Sequence, residues 1–385
     1  MTQHIVCKFG GSSVANAAQI RKVKDILAAN SDRKYLVVSA PGRDDTDREK
    51  VTDHLLNIAT SGRHFRQQQK SISPEESSRA VVGKFKKLVA ELDIDGADII
   101  KQLQADLKKS VPEKKRNDFF ASRGERVNAE IICRYLNKQG FPADLALPED
   151  MGLLVTDDFS NARVVPASYR NIRKKLSSAE GISVIPGFYG ITKKGDVAVF
   201  SRGGSDLTGG EIAFAVDAAL YENWTDTDGI YQVDPRLIPE AKVIPRLTYK
   251  EIRLLSAKGF EVFHYEAMVN CKKRNIPIHV RNTNNLNAEG TLIVSERVPE
   301  EVVVGIARKD NVAYLYLERD GAGEDIGFVS DLIGVLRNYD IETYHYPKDM
   351  DDIALLLNQD DLVGCEGDPK DTLEREFKPD HLEFS

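Results

Sequence analysis

Sulfur and indole are scarce in this chain: its 385 residues include four cysteines, four methionines and one tryptophan. Cys7, Cys133, Cys271 and Cys365 stand far apart, and no two form a Cys-x-x-Cys pair. That spacing speaks against a zinc site or a disulfide framework and points to reduced thiols in a reducing compartment. The seven histidines are scattered without a His-x-x-x-His pair, and neither a Gly-x-Ser-x-Gly nor a Cys/His nucleophile arrangement occurs. No apolar run approaches the ~20 residues that span a bilayer. Met1-Thr2-Gln3-His4 leads straight into a strand-like run, without the basic and then apolar segments of a signal peptide. Positive charge is not in excess either: the formal net charge is −7, which argues against duplex nucleic acid as a partner. These absences lead to the expectation of a cytoplasmic protein that binds neither nucleic acid nor membrane. The remainder is ordinary for a globular protein, 41% hydrophobic and 29% charged. At ~100–200 residues per domain, the length suggests two or three domains.

The chain opens on a short apolar strand, Ile5 to Phe9, then Gly10-Gly11-Ser12-Ser13. Val14, Ile20, Val23 and Leu27 follow on one helix face, with Ser12 or Ser13 as candidate cap. A second strand, Tyr35 to Ala40, stops at Pro41-Gly42. Residues 48–140 read as mostly helical and charged. Strands return at 143–147 and 183–186, a hairpin at 191–200 turns on Lys194-Gly195-Asp196, and a helix is expected over 209–220. Further strands fall at 221–225 and 276–281, with helical stretches near 248–258 and 266–274. Strands alternating with helices predict an α/β fold with a mainly parallel sheet covered on both faces. A boundary falls near 294–302. Residues 1–296 form the first expected domain and residues 303–385 the second, a small βαββαβ module.

Four segments carry chemistry. In Lys8-Phe9-Gly10-Gly11-Ser12-Ser13, two glycines let backbone N–H groups approach an anion at a helix start, and Lys8 can set a cation on a phosphate. The lysine precedes the glycines, so this is not the G-x-x-x-x-G-K-[ST] loop, and a plain strand–helix turn is the alternative. In Ser201-Arg202-Gly203-Gly204-Ser205-Asp206, Arg202 offers a planar fork for a carboxylate, and Asp206 can orient the first loop or hold Mg²⁺ through water. Two such turns, each beside a basic residue, are hard to explain as loops alone. In Thr225-Asp226-Thr227-Asp228-Gly229-Ile230-Tyr231 with Arg236, Tyr231 can flank a base and Arg236 can reach a phosphate, or the segment is an acidic surface turn. In Arg123-Gly124-Glu125-Arg126, Glu125 either favours a helix dipole or receives the ammonium of an amino acid.

Taken together these motifs resemble the aspartate kinases of the amino-acid kinase superfamily. The resemblance lies in Lys8–Ala15 (KFGGSSVA), Gly124-Glu125, Arg202–Asp206 (RGGSD), Thr225-Asp226, Gly229-Ile230-Tyr231, Asp234-Pro235-Arg236, and Arg281–Asn284 (RNTN) before Gly290-Thr291-Leu292. It runs in order over residues 1–294 and continues into the small module, which is similar to an ACT-type regulatory unit. It implies phosphoryl transfer from ATP, with Mg²⁺, to the side-chain carboxylate of L-aspartate, the first step toward lysine, threonine and methionine.

By position, the resemblance implies that Lys8 stabilises charge on the transferring group and that Phe9, Gly10, Gly11 and Ser12 surround the phosphates. Ser39 and Thr52 would lie near the phosphoryl group or the substrate. Glu125 would bind the ammonium of aspartate, and Arg202 would clamp its α-carboxylate beside Gly203, Gly204 and Ser205. Asp206 would organise the two loops, while Thr225, Asp226, Tyr231, Arg236 and Glu261 would line the nucleotide. Glu261 stands where many family members carry lysine. Such members also continue into a second ACT unit after a segment like Lys378–Phe384, where this chain ends. A homo-oligomer is expected, because a lone ACT sheet leaves an open edge, with an amino-acid effector at the small module. The alternatives are a glutamate-type kinase and a non-catalytic amino-acid sensor.

Overall fold

The computed structural model describes residues 4–44, 47–68, 70–201, 203–257, 265–299, 303–364 and 368–385. They divide into two compact units, Met1–Ala307 and Arg308–Ser385.

The strands of the first unit are β1 (Ile5–Phe9), β2 (Arg33–Val38), β3 (Ala143–Leu145), β4 (Leu154–Val155), β5 (Ile182–Pro186), β6 (Tyr189–Thr192), β7 (Val197–Val199), β8 (Leu220–Thr225), β9 (Arg246–Thr248), β10 (Ile278–Asn282) and β11 (Thr291–Val294). Its helices are α1 (Ala17–Ala28), α2 (Val51–Ala59), α3 (Arg63–Gln67), α4 (Pro74–Glu91), α5 (Ala97–Asp106), α6 (Glu113–Ala121), α7 (Arg123–Lys138), α8 (Pro148–Met151), α9 (Ser168–Leu176), α10 (Gly204–Val216), α11 (Tyr249–Ala257) and α12 (Met268–Lys273). One large sheet has the order β3-β5-β2-β1-β8-β10-β11-β9. It is parallel from β3 through β10, and β11 then pairs antiparallel with β10. A small sheet, β4-β6-β7, contains the hairpin read at 191–200.

Side chains alternate across a strand, and that period sorts the core. Ile5, Cys7 and Phe9 join Leu36, Val38, Trp224 and residues of α1, α2, α4, α5 and α7 on one face. Val6 joins Val37, Tyr221, Ile185 and residues of α9, α10, α11 and α12 on the other. Both faces of β1 are therefore covered, which is why its sequence is a continuous run rather than an alternation.

A carboxylate, Glu222, is buried deep on the first face, 2% exposed. It accepts from Arg33 Nε at 2.8 Å, Arg33 Nη2 at 2.9 Å, Trp224 Nε1 at 3.0 Å and Cys7 Sγ at 3.3 Å. Burial alone would raise its pKa, but the Arg33 guanidinium and the neighbouring donors outweigh burial and hold it below the usual carboxylate range. Burial, with Glu222 beside it, pushes the Cys7 thiol up. Removing one partner of a buried ion pair leaves the other uncompensated, so Glu222→Ala is expected to cost about 3–5 kcal/mol. Replacing Arg33 and Glu222 together by leucine should recover much of that loss. Urea unfolding of the single and double variants checks both statements.

Some elements differ from the sequence reading. Asn16, not Ser12 or Ser13, caps α1, accepting from Gln19 N at 3.0 Å. Ser12–Val14 form a 3-10 turn instead, because the chain bends twice before the helix axis is set. Helix α10 starts at Gly204, five residues before the expected start, since Gly203 at φ 73° supplies the left-handed entry. Helix α9 is not signalled by the sequence: its apolar Tyr169, Ile172 and Leu176 are outnumbered by Arg170, Arg173, Lys174 and Lys175.

In the second unit, β12 (Val312–Glu318), β13 (Thr343–His345), β14 (Asp352–Asn358) and β15 (His381–Phe384) form an antiparallel sheet of order β13-β14-β12-β15. Helices α13 (Ile326–Asn338) and α15 (Pro369–Phe377) accompany it, with a short α14 (Gln359–Gly364) between β14 and α15. Phe328, Leu332 and Leu336 of α13 pack with Leu315, Leu317, Leu355 and Leu373. This is the βαββαβ order with one extra turn of helix. No helix among the described residues is long and apolar enough to cross a membrane.

Candidate active site

Parallel strands end in loops along one edge of their sheet, and ligands of open α/β sheets gather there. In this chain β1, β2, β5 and β8 lie side by side, so Gly10, Ser39, Gly187 and Thr225 leave the same edge.

The loop after β1 is tied to β8. Gly10 N donates to Trp224 O at 3.0 Å, and Ser13 Oγ reaches the same oxygen at 3.5 Å. Ser13 N and Val14 N bond back to Gly10 O and Gly11 O, closing the turn and leaving the Gly11 and Ser12 N–H groups at its head. Gly11 also touches the loop after β2. Gly42 N donates to Gly11 O at 2.9 Å, and a Cβ on Gly42 would lie 2.6 Å from the Gly11 carbonyl carbon. Thr283 Oγ1 donates to Ser13 Oγ at 2.8 Å, and Asn284 Oδ1 accepts from Gln19 and Lys22 of α1. The Arg281–Asn284 segment thus braces the first loop from behind.

Lys8 points to the opposite face from Cys7 and Phe9, toward the head of α10. Its ammonium lies 2.5 Å from Asp206 Oδ1, with the two side chains 9% and 16% exposed. Asn223 Nδ2 donates to the same oxygen at 2.7 Å. The two Gly-Gly-Ser motifs, nearly two hundred residues apart in sequence, meet through this pair. Gly203, Gly204 and Ser205 form the entry of α10 against the loop after β5. A Cβ on Gly187 would lie 2.8 Å from Ser205 Cβ, and one on Gly204 2.4 Å from Phe188 Cδ2. Phe188 holds φ 75°, a left-handed conformation that costs a bulky residue about 1–2 kcal/mol. Its N–H donates to Thr208 Oγ1 at 2.9 Å.

Helix α7 brings Glu125 to the end of β2. Glu125 is 5% exposed, and its Oε2 has no hydrogen-bond partner among the described residues. Burial pushes the carboxyl up to about 8, against the pull of the Ala40 N–H. One turn on, Asn128 Nδ2 donates to Ser39 O at 2.7 Å, while its buried Oδ1 is unpaired among the described residues. Ser39 N in turn donates to Phe9 O at 3.2 Å, extending the ladder toward the first loop. Thr52 sits half-buried in the first turn of α2.

The loop after β8 is built from its own polar groups. Thr225 Oγ1 donates to Asp226 Oδ1 at 3.2 Å, and Asn282 Nδ2 donates to Asp228 Oδ1 at 2.7 Å. Tyr231 bridges to Val243. Arg236 turns onto Asp234, Nη2 to Oδ2 at 2.7 Å, and is 88% exposed. Arg202 and Glu261 lie outside the described residues.

Phe188, Asn128, Asn223 and Gly42 carry no local signature of a site. Only the left-handed backbone of Phe188 and the strand register of Asn223 reveal them. Pro41-Gly42 is visible in sequence as a turn, but its contact with Gly11 is not. Among the described residues no three His, Cys, Asp or Glu side chains gather into a group that could hold a metal ion. A hard cation at this edge would take its ligands chiefly from a nucleotide's phosphates and water, with the Asp206 carboxylate as the oxygen donor at hand.

The Amino acid kinase family model matches residues 3–282. The chain is 39% identical to Aspartokinase 3 of Bacillus subtilis (strain 168) over 361 residues, 92% of this chain and 78% of that protein. The crystal structure of the Clostridium acetobutylicum aspartate kinase superposes with a TM-score of 0.83 at 33% identity, covering 99% of this chain and 84% of that one. E. coli aspartokinase III, solved with lysine and aspartate and again with aspartate and ADP, gives TM-scores of 0.77 and 0.75. Those two matches cover 99% and 100% of this chain and 85% of that one in each case, and at 22% and 21% identity they show the shared fold.

Proposed function

Because the chain belongs to the amino acid kinase family, and within it to the aspartate kinases, we propose that its carboxyl-edge site moves the γ-phosphoryl group of ATP to the side-chain carboxylate of L-aspartate. The products are 4-phospho-L-aspartate and ADP, the first step toward lysine, threonine and methionine.

The observation that carries the site assignment is the buried Lys8–Asp206 pair at the head of two Gly-rich turns. In phosphoryl transfer the protein positions and neutralises, and the in-line step needs no protein nucleophile. The aspartate side chain has an ordinary pKa of about 3.9 and is already ionised at neutral pH, so no general base is needed. Lys8 turns its ammonium to the transferring phosphoryl oxygens. The Gly11 and Ser12 N–H groups, with Gly10 beside them, cradle the phosphates. Ser39 and Thr52 line the path of the acceptor carboxylate. Glu125, buried with an oxygen unpaired among the described residues, receives the substrate ammonium. Arg202, with Gly203 to Ser205, holds the α-carboxylate. Thr225, Asp226, Tyr231, Arg236 and Glu261 hold the nucleotide. Mg²⁺ bound to the nucleotide supplies charge neutralisation on the phosphates.

The lysine, aspartate and ADP bound by E. coli aspartokinase III support the same substrate class and an amino-acid effector for this chain. The second unit, Arg308–Ser385, which lies within the module expected over residues 303–385, is the proposed effector and dimerisation module, since its β13 and β15 leave open sheet edges.

The test is ADP formation by the purified protein with Mg-ATP and either L-aspartate or L-glutamate, in the presence of hydroxylamine. A hydroxamate formed with aspartate is the expected result. Nucleotide binding without turnover on either amino acid would sink the assignment in favour of a sensor.

A further inference from the structure

Lys8 and Asn223 are cross-strand partners in the parallel β1–β8 ladder. Both face α10, because Glu222 and Trp224 take the opposite face of β8. Both are buried, 8% and 3% exposed, and both aim a donor at one atom: Lys8 Nζ at 2.5 Å and Asn223 Nδ2 at 2.7 Å from Asp206 Oδ1.

Asp206 cannot slide along the sheet. Tyr221, two residues before Asn223 on the same face, donates its hydroxyl to Asp206 O at 3.1 Å. Gly209 lets α10 rest directly on that ring, since a Cβ there would lie 2.4 Å from the Tyr221 oxygen. The carboxylate is thus held by its backbone from one side and by two donors from the other.

The reaction sets these donors different tasks. Lys8 must transfer its ammonium from Asp206 to a phosphoryl oxygen as charge develops there. When it does so, a largely buried carboxylate loses its cation, and an unpaired buried charge is costly. A neutral amide suits the vacated position. It keeps a hydrogen bond on Oδ1, adds no cation to compete for the phosphates, and adds no anion to hold Lys8 back. Its strand fixes its reach. Resting on the roles assigned above to Lys8 and Asp206, we propose that Asn223 is a positioning residue that keeps the Asp206 carboxylate in place and partnered while Lys8 engages the transferring phosphoryl group.

Asn223→Leu removes the donor at similar volume. It is expected to lower kcat by about 30-fold, the scale of a small misplacement of a reacting group, with KM for aspartate and for ATP changed by less than about 3-fold. Asn223→Gln restores an amide donor and should return kcat to within about 5-fold of the parent. ADP affinity, followed by the fluorescence of Trp224, the one tryptophan of the chain, should be unchanged in both variants. A purely structural role would instead impair both variants alike or weaken ADP binding. Either of those results overturns the proposal, as does a Leu variant with parental kcat. If Asn223→Leu is not recovered folded, Asn223→Ser, whose hydroxyl is too short to reach Oδ1, takes its place under the same criteria. Lys8→Met and Asp206→Asn belong in the same assay. Parental activity in those variants would refute the roles of Lys8 and Asp206 themselves. Low activity in them beside a fully active Asn223→Leu would refute only the role of Asn223.

Discussion

Lys8→Met is expected to lower kcat by about 10³-fold, the effect of removing a preorganised donor from a developing charge. The fold should survive. Lys8 is 8% exposed, and methionine fills much of its volume. Asp206, left without its cation, keeps the Asn223 amide at 2.7 Å and remains 16% open to water. Steady-state kinetics beside far-UV circular dichroism and a thermal scan separate the outcomes. A folded variant turning over at near the parental rate would remove Lys8 from the chemistry. A variant that does not fold would show that the Lys8–Asp206 pair chiefly holds α10 to β1.

Glu125→Gln is expected to raise KM for aspartate by about 10- to 100-fold, the range for losing a hydrogen bond to a charged group, with a smaller change for ATP. The same change should act on stability in the opposite direction. Burial raises the Glu125 pKa from 4.5 in the unfolded chain to about 8 in the fold. Below pH 4.5 both states carry the proton, and Glu125 places no penalty on folding. As pH rises from there to about 8, the unfolded chain gives up the proton and the fold retains it, so stability is lost across that window. The amide introduced by Glu125→Gln has no proton to lose. The variant should therefore gain thermal stability over the parent as pH is raised from about 5 to about 8, and the two should converge in acid.

The substrate acts on the same equilibrium. An ammonium placed beside Glu125 favours its ionised form, so aspartate binding releases a proton below about pH 8. KM for aspartate should fall as pH rises from about 6 to about 8 in the parent and stay flat in Glu125→Gln. A parallel pH profile in the two proteins would exclude Glu125 as the ammonium partner.

Much of the site can be read from the chain because its chemistry is local. Lys8 beside Gly10-Gly11-Ser12 and Gly203-Gly204-Ser205 beside Asp206 each place a charge next to backbone that can approach a ligand closely. The sequence offers Asp206 as a residue that could orient the first loop, but the geometry of that contact is not local. The Lys8–Asp206 pair exists because β1 and β8 are neighbours in the parallel order and α10 docks on the face that Lys8, Tyr221 and Asn223 share. Asn223 looks like any polar residue within a strand until the register sets it opposite Lys8. Glu125 has two plain roles on paper, and only its burial, with no partner for Oε2 among the described residues, distinguishes it from a residue that merely favours the helix dipole. Helix α9 is hidden for the converse reason: its basic residues mask an apolar period that matters only once a sheet face lies beneath it.

By itself the sequence determined most of the alternation of strands and helices, the two Gly-rich turns and the βαββαβ order of the second unit, because periodicity and turn chemistry act over a few residues. Tertiary structure alone decided which loops share an edge, that Asn16 rather than a serine caps α1, that Arg236 turns onto Asp234, and which carboxylates are buried with partners. Those outcomes depend on contacts between residues far apart in sequence, or on local choices that such contacts tip, and their free energies arise from desolvation and packing that no local window contains.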